Sequence, residues 1–167
     1  MTLARLVRAY KIVTTALAIL AGAILSAIAL SIPVDVTLRA CCSEAIFGLG
    51  DLTEHGIAAA TFLGAPWVLY KNAHVSVDIV VSHLRPRARN SVETVVNLIG
   101  AAVSAIFFWY VLQALLIAAG RGSMVRGIVV VPEWLTFLAP AIAAALLAIG
   151  FLLRIGADHR ARQVQGL

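Results

Sequence analysis

From Ile12 to Ile32 the chain runs without one charged side chain, and three further apolar stretches follow it, at about 52–70, 92–119 and 128–153. A helix rising 1.5 Å per residue needs about 20 such residues to cross roughly 30 Å of hydrocarbon. Composition closes off the alternative of a soluble core. With 62% hydrophobic and 13% charged residues over 167 positions, a water-soluble fold has too few polar side chains to cover its surface. The chain is therefore predicted to be all-α, a single membrane domain over 1–167 with four transmembrane helices.

The second stretch is the weakest. Glu54 and His55 stand near its start and Pro66 lies within it, so it is predicted to pack largely against protein rather than lipid. The first stretch has an alternative reading as a cleaved signal peptide, with Arg5, Arg8 and Lys11 ahead of it and Ala27-Ile28-Ala29 resembling a cleavage site. Its apolar run exceeds the usual 7–15 residues of about that signal type, so the anchor reading is preferred.

Basic residues set the orientation. Ten of the 13 fall in the N-terminal segment, the loop after the second stretch and the C-terminal segment, whereas Arg39, Arg121 and Arg126 fall in the other two loops. By the positive-inside rule both termini are predicted to be cytoplasmic, which puts Cys41 and Cys42 outside, in the periplasm of a bacterium. The net charge of +5 is spread over these loops with no basic run, so no nucleic-acid partner is expected.

Motifs for catalysis are absent. Gly48-Leu49-Gly50 lacks the third glycine of a dinucleotide fingerprint, and no phosphate-binding loop occurs. His74 and Asp78 are four apart, as are Asp51 and His55, which places each pair on one helix face. Two ligands do not make a metal site, and neither a metal nor another cofactor is expected. Adjacent Cys41 and Cys42 match neither a CxxC pair nor a disulfide framework.

Between the second and third stretches, over about 73–85, His74, Asp78, Ser82 and Arg85 share one side of a helical projection. Val77, Val80, Val81 and Leu84 share the other, and Pro86 follows. This reads as an amphipathic helix lying along the cytoplasmic interface. Val75, Val77 and Ile79 also alternate as in a strand, but a lone strand has no partner for its backbone there.

Small residues recur every fourth position at Gly56, Ala60 and Gly64, at Ala18, Gly22 and Ser26, and at Gly100 and Ser104. Such ladders let helices approach closely, although an alanine-rich chain also makes them by chance. Among polar groups, Asn97 and Gln113 lie in the third stretch, Glu54 and His55 at the outer end of the second, and Glu133 between Pro132 and Trp134 where the fourth begins. Proline suits a first helical turn and tryptophan suits the membrane interface. No charge falls at the midplane, where a helix bundle that binds a solute itself would carry polar groups. Glu54 is expected to need a counter-charge from Arg121, Arg126 or a partner.

The run Thr61-Phe62-Leu63-Gly64-Ala65 through Tyr70-Lys71-Asn72-Ala73-His74-Val75-Ser76-Val77-Asp78 resembles the small membrane subunit, DctQ type, of tripartite ATP-independent periplasmic (TRAP) transporters. That family pattern is a Glu opening the second span, then F-L-G-A, a short basic turn and H-x-x-V-D. It falls here on Glu54, Phe62 to Ala65, Lys71, His74, Val77 and Asp78, and its Pro and Trp at the start of the fourth span fall on Pro132 and Trp134. The specific motif covers about 25 residues, and Arg39-Ala40-Cys41-Cys42-Ser43 departs from the pattern. The resemblance implies a non-catalytic inner-membrane subunit that braces a large membrane subunit. A periplasmic binding protein would deliver an organic acid for cation-coupled uptake. The candidate interface and structural residues are Glu54, Gly56, Ala60, Gly64, His74, Asp78, Pro132 and Trp134. Two other readings are a periplasm-facing thiol/quinone oxidoreductase built on Cys41-Cys42, and a stand-alone four-helix channel or exporter.

Overall fold

A computed structural model describes the backbone of residues 2–71 and 86–165 and the side chains of residues 5–71 and 92–155. Four helices dominate it: α1 (Thr2–Cys42), α2 (Leu49–Tyr70), α3 (Pro86–Arg121) and α4 (Glu133–Gln165). A two-stranded hairpin, β1 (Met124–Val125) with β2 (Val131–Pro132), joins α3 to α4. The expected interfacial segment, with His74 and Asp78, lies outside the described residues.

The first helix outruns the apolar stretch that predicts it. It passes through Pro33 and ends at Cys42, where Ser43 turns left-handed at φ 57°. A proline inside a helix forfeits one backbone bond, a loss that membrane helices tolerate. Beyond Pro33, Asp35 closes the turn that follows α1. Its Oδ2 accepts from Arg39 Nε at 2.7 Å and its Oδ1 from the Ile46 amide at 2.7 Å. α2 then starts after Gly48, whose φ of +72° suits a residue without Cβ; a side chain there would also overlap Val129.

The fourth helix begins later than its apolar stretch. Ile128 to Pro132 belong to the hairpin and its loop, and the helix starts at Glu133. Val129, Val130 and Val131 are β-branched and favour extended backbone, and Pro132 lacks an amide. Pro132 is thus the last strand residue rather than part of a helical turn, and the Glu133 amide bonds Ser123 O at 3.0 Å.

Helix directions follow from contacts. The space beside Gly56 is filled by Ile28 and Ile24, that beside Gly64 by Ala21, and Tyr70 meets Tyr10, so α2 runs antiparallel to α1. The space beside Gly150 is filled by Leu69, while Asp51 bonds Val129, so α2 and α4 run the same way. Gly100 faces Phe151, which sets α3 antiparallel to α4. α2 therefore lies between α1 and α4, and α3 packs chiefly on α4, meeting α2 where Phe107 stacks on Phe62. Tyr10, Tyr70 and Arg154 gather at one end of the bundle, and the hairpin and the α1–α2 turn at the other.

The core is made of small residues. Ala21, Ala60 and Leu63 are buried together, with Leu17, Ile24 and Ala139 packed around them. α3 presents Asn97, Ala101, Ser104, Val111 and Ala118 as a buried stripe, and α4 presents Ala141, Ala143 and Ala144. Three helices are long and apolar enough to cross a membrane, within Arg5–Cys42, Val92–Arg121 and Glu133–Ile155. α2 falls short of that standard because Asp51, Glu54 and His55 occupy its first turns.

Candidate functional site

The ladder in α2 is used within the chain. Gly56, Ala60 and Gly64 share the face turned to α1. A Cβ at Gly56 would stand 2.8 Å from Ile28 Cδ1 and 3.4 Å from Ile24 Cγ2, and one at Gly64 would touch Ala21 Cβ at 4.0 Å. Glycine there lets the two backbones close over the α1 side chains. The ladder in α1 points elsewhere: nothing lies within 4 Å of where a Gly22 side chain would be, and exposed Ser26 bonds back to Gly22 O at 2.8 Å. On α3, a Cβ at Gly100 would stand 2.6–2.9 Å from the Phe151 ring and Ser104 is buried, so that pair faces α4.

At one end three helices meet around Gly150. Tyr10 from α1 and Leu69 from α2 fill the space where a side chain would project. The Tyr10 and Tyr70 rings meet edge-to-face at 6.3 Å. Thr14 is fully buried, its hydroxyl donating to Tyr10 O at 2.9 Å. The Tyr10 hydroxyl is buried without a hydrogen-bond partner among the described residues. Lys71 places its ammonium 5.6 Å from the Trp67 ring centre, a cation–π distance.

At the opposite end the hairpin folds over α2. Asp51 Oδ2 accepts from the Val129 amide at 2.9 Å, and its carboxylate fills the space beside Gly127. His55 Nδ1 lies 2.8 Å from Asp51 O. A carbonyl only accepts, so Nδ1 carries the proton of that bond. Asp51 thus anchors the hairpin loop while His55 is tied to its own helix, roles that their i, i+4 spacing did not reveal. Below the hairpin α2 and α4 part around a cavity of about 510 Å³, lined chiefly by Phe47, Leu52, Ala59, Leu135 and Pro140, with Phe62 stacked on Phe107 at 6.3 Å. The cavity was not foreseen, because it depends on the hairpin replacing the first turns expected of α4.

Glu54 is exposed on the side of α2 turned away from α1, in line with exposed Ile57 and Thr61. Among the described residues neither Arg121 nor Arg126 pairs with it, while Arg39 pairs with Asp35. Trp134 stands exposed in the first turn of α4, and Pro132 closes the hairpin ahead of it. His74 and Asp78 lie outside the described residues. No group of three or more potential metal ligands forms among the described residues, and Cys41 and Cys42 are exposed free thiols at the end of α1.

The family model of the tripartite ATP-independent periplasmic transporters, DctQ component, matches residues 28–160 of this chain. No curated protein matches it.

Proposed function

Since the chain belongs to the DctQ component family of TRAP transporters, we propose that it braces a large membrane subunit whose moving parts carry the solute. In this reading the four helices all cross the bacterial inner membrane, with both termini cytoplasmic. A periplasmic binding protein delivers an organic acid to the large subunit, and a cation gradient drives uptake. The chain carries out no chemical step.

The observation that carries this reading is the filling of the bundle at mid-level. Ala21, Ala60 and Leu63 close the junction of α1 and α2, and Ala143 and Ala144 are at most 1% exposed. Small apolar side chains at close helix spacing make a stiff, dry interior. A solute pathway instead needs polar groups and broken helices at that depth. One cavity begins at the hairpin end and reaches between α2 and α4 as far as Phe62 and Pro140, and its lining is mostly apolar side chains rather than the polar groups a solute needs.

The reading of four crossings is supported by α2 lying alongside α1 and α4, its polar first turns beside the hairpin. Gly56, Ala60 and Gly64 then serve as internal packing, Pro132 and Trp134 as the anchor at the outer interface, and Glu54 as a contact with the partner. His74 and Asp78 belong to the interfacial segment that would hold the scaffold at fixed depth.

Reconstitution tests this. The chain alone in liposomes is expected to accumulate no organic acid under an imposed cation gradient. It is expected to co-purify with the large subunit and to be required for uptake by the assembled complex with its binding protein. Solute accumulation by the chain alone overturns the proposal, as does full uptake by the large subunit and binding protein without it.

A further inference from the structure

Packing fixes the depth of residues on α3. Gly100 lies against Phe151, so along the antiparallel pair Trp109 stands level with Ile142 of α4. Leu69 lies against Gly150, which brings Ile142 level with Thr61 of α2, and Gly64 faces Ala21, which brings Thr61 level with Ile24 of α1. Ile24 lies within a turn of the centre of the apolar run 12–32. Trp109 and its neighbours Tyr110 and Gln113 therefore sit near mid-depth.

These three side chains point away from the bundle. The buried stripe of α3 faces α4, and Ile106, Tyr110, Gln113 and Ile117 fall on the opposite side with Trp109 beside them. Trp109 is 60% and Tyr110 67% exposed, and Gln113 is exposed. None of the three has a hydrogen-bond partner among the described residues. Hydrocarbon provides no acceptor for an indole N–H, a phenol or an amide, and Trp and Tyr ordinarily collect at the interfaces instead.

The same chain shows what its lipid-facing surface looks like. Along α1 the exposed residues are Ile12, Val13, Ile19, Leu20, Leu25 and Leu30, and the hydroxyls of Ser26 and Ser31 bond back to Gly22 O and Ala27 O. Near mid-depth, among the described residues, the edge of α1 offers lipid no unpaired side-chain donor, whereas the edge of α3 offers three within about a turn.

We propose that the outward edge of α3, centred on Trp109, Tyr110 and Gln113, is the docking surface for the large membrane subunit. The partner element is a membrane-crossing helix bearing hydrogen-bond acceptors at mid-depth. Polar side chains act as glue between helices where lipid cannot satisfy them, and Trp and Tyr are the residues that most often anchor interfaces. This inference rests on the bracing role proposed above and adds which side of the chain performs it.

Crosslinking in native membranes containing the full complex tests it, with a photoreactive residue at Ile106 or Ile117 and, for comparison, at Leu20 or Leu25. Adducts with the large subunit are expected from the α3 positions and not from the α1 positions. In parallel, Trp109→Leu/Tyr110→Leu/Gln113→Leu makes the edge more lipophilic. The variant chain is expected to insert and fold, yet to retain the large subunit about tenfold less well on purification. Large-subunit adducts from α1 alone, adducts from α3 only with lipid or a second copy, or undiminished retention by the triple variant each overturn the inference. Failure of the unaltered chain to co-purify at all counts instead against the bracing role, so the two are separated by that measurement.

Discussion

Replacing Gly150 with alanine probes the closest three-helix contact in the bundle. The added Cβ would overlap the Tyr10 hydroxyl and lie 2.9 Å from Leu69 Cδ2, about half an ångström short of ordinary contact. Neither neighbour has room to yield. Leu69 is 1% exposed and the Tyr10 ring is held against Tyr70. Overfilling a tight core costs about 1–3 kcal/mol, and the better helix propensity of alanine returns about 0.5–1 kcal/mol. The gain from burying a methyl group is small, because helices separated in a micelle remain among apolar tails. Gly150→Ala is thus expected to destabilise the fold by about 1–2 kcal/mol, a 5- to 30-fold drop in the folded-to-unfolded ratio. Unfolding in mixed micelles of increasing SDS content, followed by circular dichroism, measures it. Tyr10→Phe removes the overlapping oxygen, which has no hydrogen-bond partner among the described residues, and is expected to be neutral or stabilising. The alanine penalty should shrink in that background by at least about 0.5 kcal/mol, a coupling typical of residues in contact. Gly22→Ala, with nothing within 4 Å, is the control and should cost nothing. The reasoning fails if Gly150→Ala is as harmless as Gly22→Ala, or if its cost is unchanged by Tyr10→Phe.

Asp51→Ala leaves the Val129 amide without its acceptor and should loosen the hairpin by about 1–2 kcal/mol, seen as faster amide exchange at Val129 while the α3–α4 contact stays protected. Asp51→Asn retains an acceptor oxygen and should lie between, and equal exchange in all three proteins would show that the carboxylate anchors nothing. With the proposed topology, exposed Cys41 and Cys42 should react with a membrane-impermeant maleimide only from the periplasmic side. In a Cys41→Ser/Cys42→Ser background, Lys71→Cys should react only from the cytoplasmic side, and labelling of it from outside would mean that α2 does not cross.

Periodicity and hydropathy made the helices legible, because about twenty apolar residues in a row leave the backbone no other way to satisfy its own hydrogen bonds in lipid. The places where reading failed are places where apolar content and backbone preference part company. Val129 to Val131 are apolar enough to extend a span, yet β-branching and Pro132 turn them into the loop and second strand of the hairpin. Pro33 marks the end of the apolar run, but α1 continues to Cys42 and uses Asp35 to tie down the turn beyond. The small-residue ladders were legible as pattern and not as partner. Gly56, Ala60 and Gly64 meet α1, whereas Gly22 and Ser26 are left uncovered by the described residues, because which face of a helix is covered depends on its neighbours. Asp51 and His55 looked like two ligands of an incomplete site. Asp51 accepts from Val129 in the hairpin, at a sequence separation that no local pattern encodes, and His55 bonds the Asp51 carbonyl in the backbone of its own helix.

The order of helices follows from the chemistry of the second one. α2 is short, opens with Asp51, Glu54 and His55, and contains Pro66, which is buried and whose missing amide forfeits one helical hydrogen bond. Such a helix is stable in a bilayer only with protein on most sides, so it occupies the interior of the layer between α1 and α4. That leaves α1 and α3 as the two outer edges. An edge helix must be compatible with whatever lies beyond it, and these two differ: α1 offers aliphatic side chains and hydroxyls bonded to their own backbone, while α3 offers an indole, a phenol and an amide at the level where lipid has nothing to return. The weakness of α2 therefore accounts for which helices are outermost, and under the docking proposed above the side chains on those two separate a lipid side from a protein side.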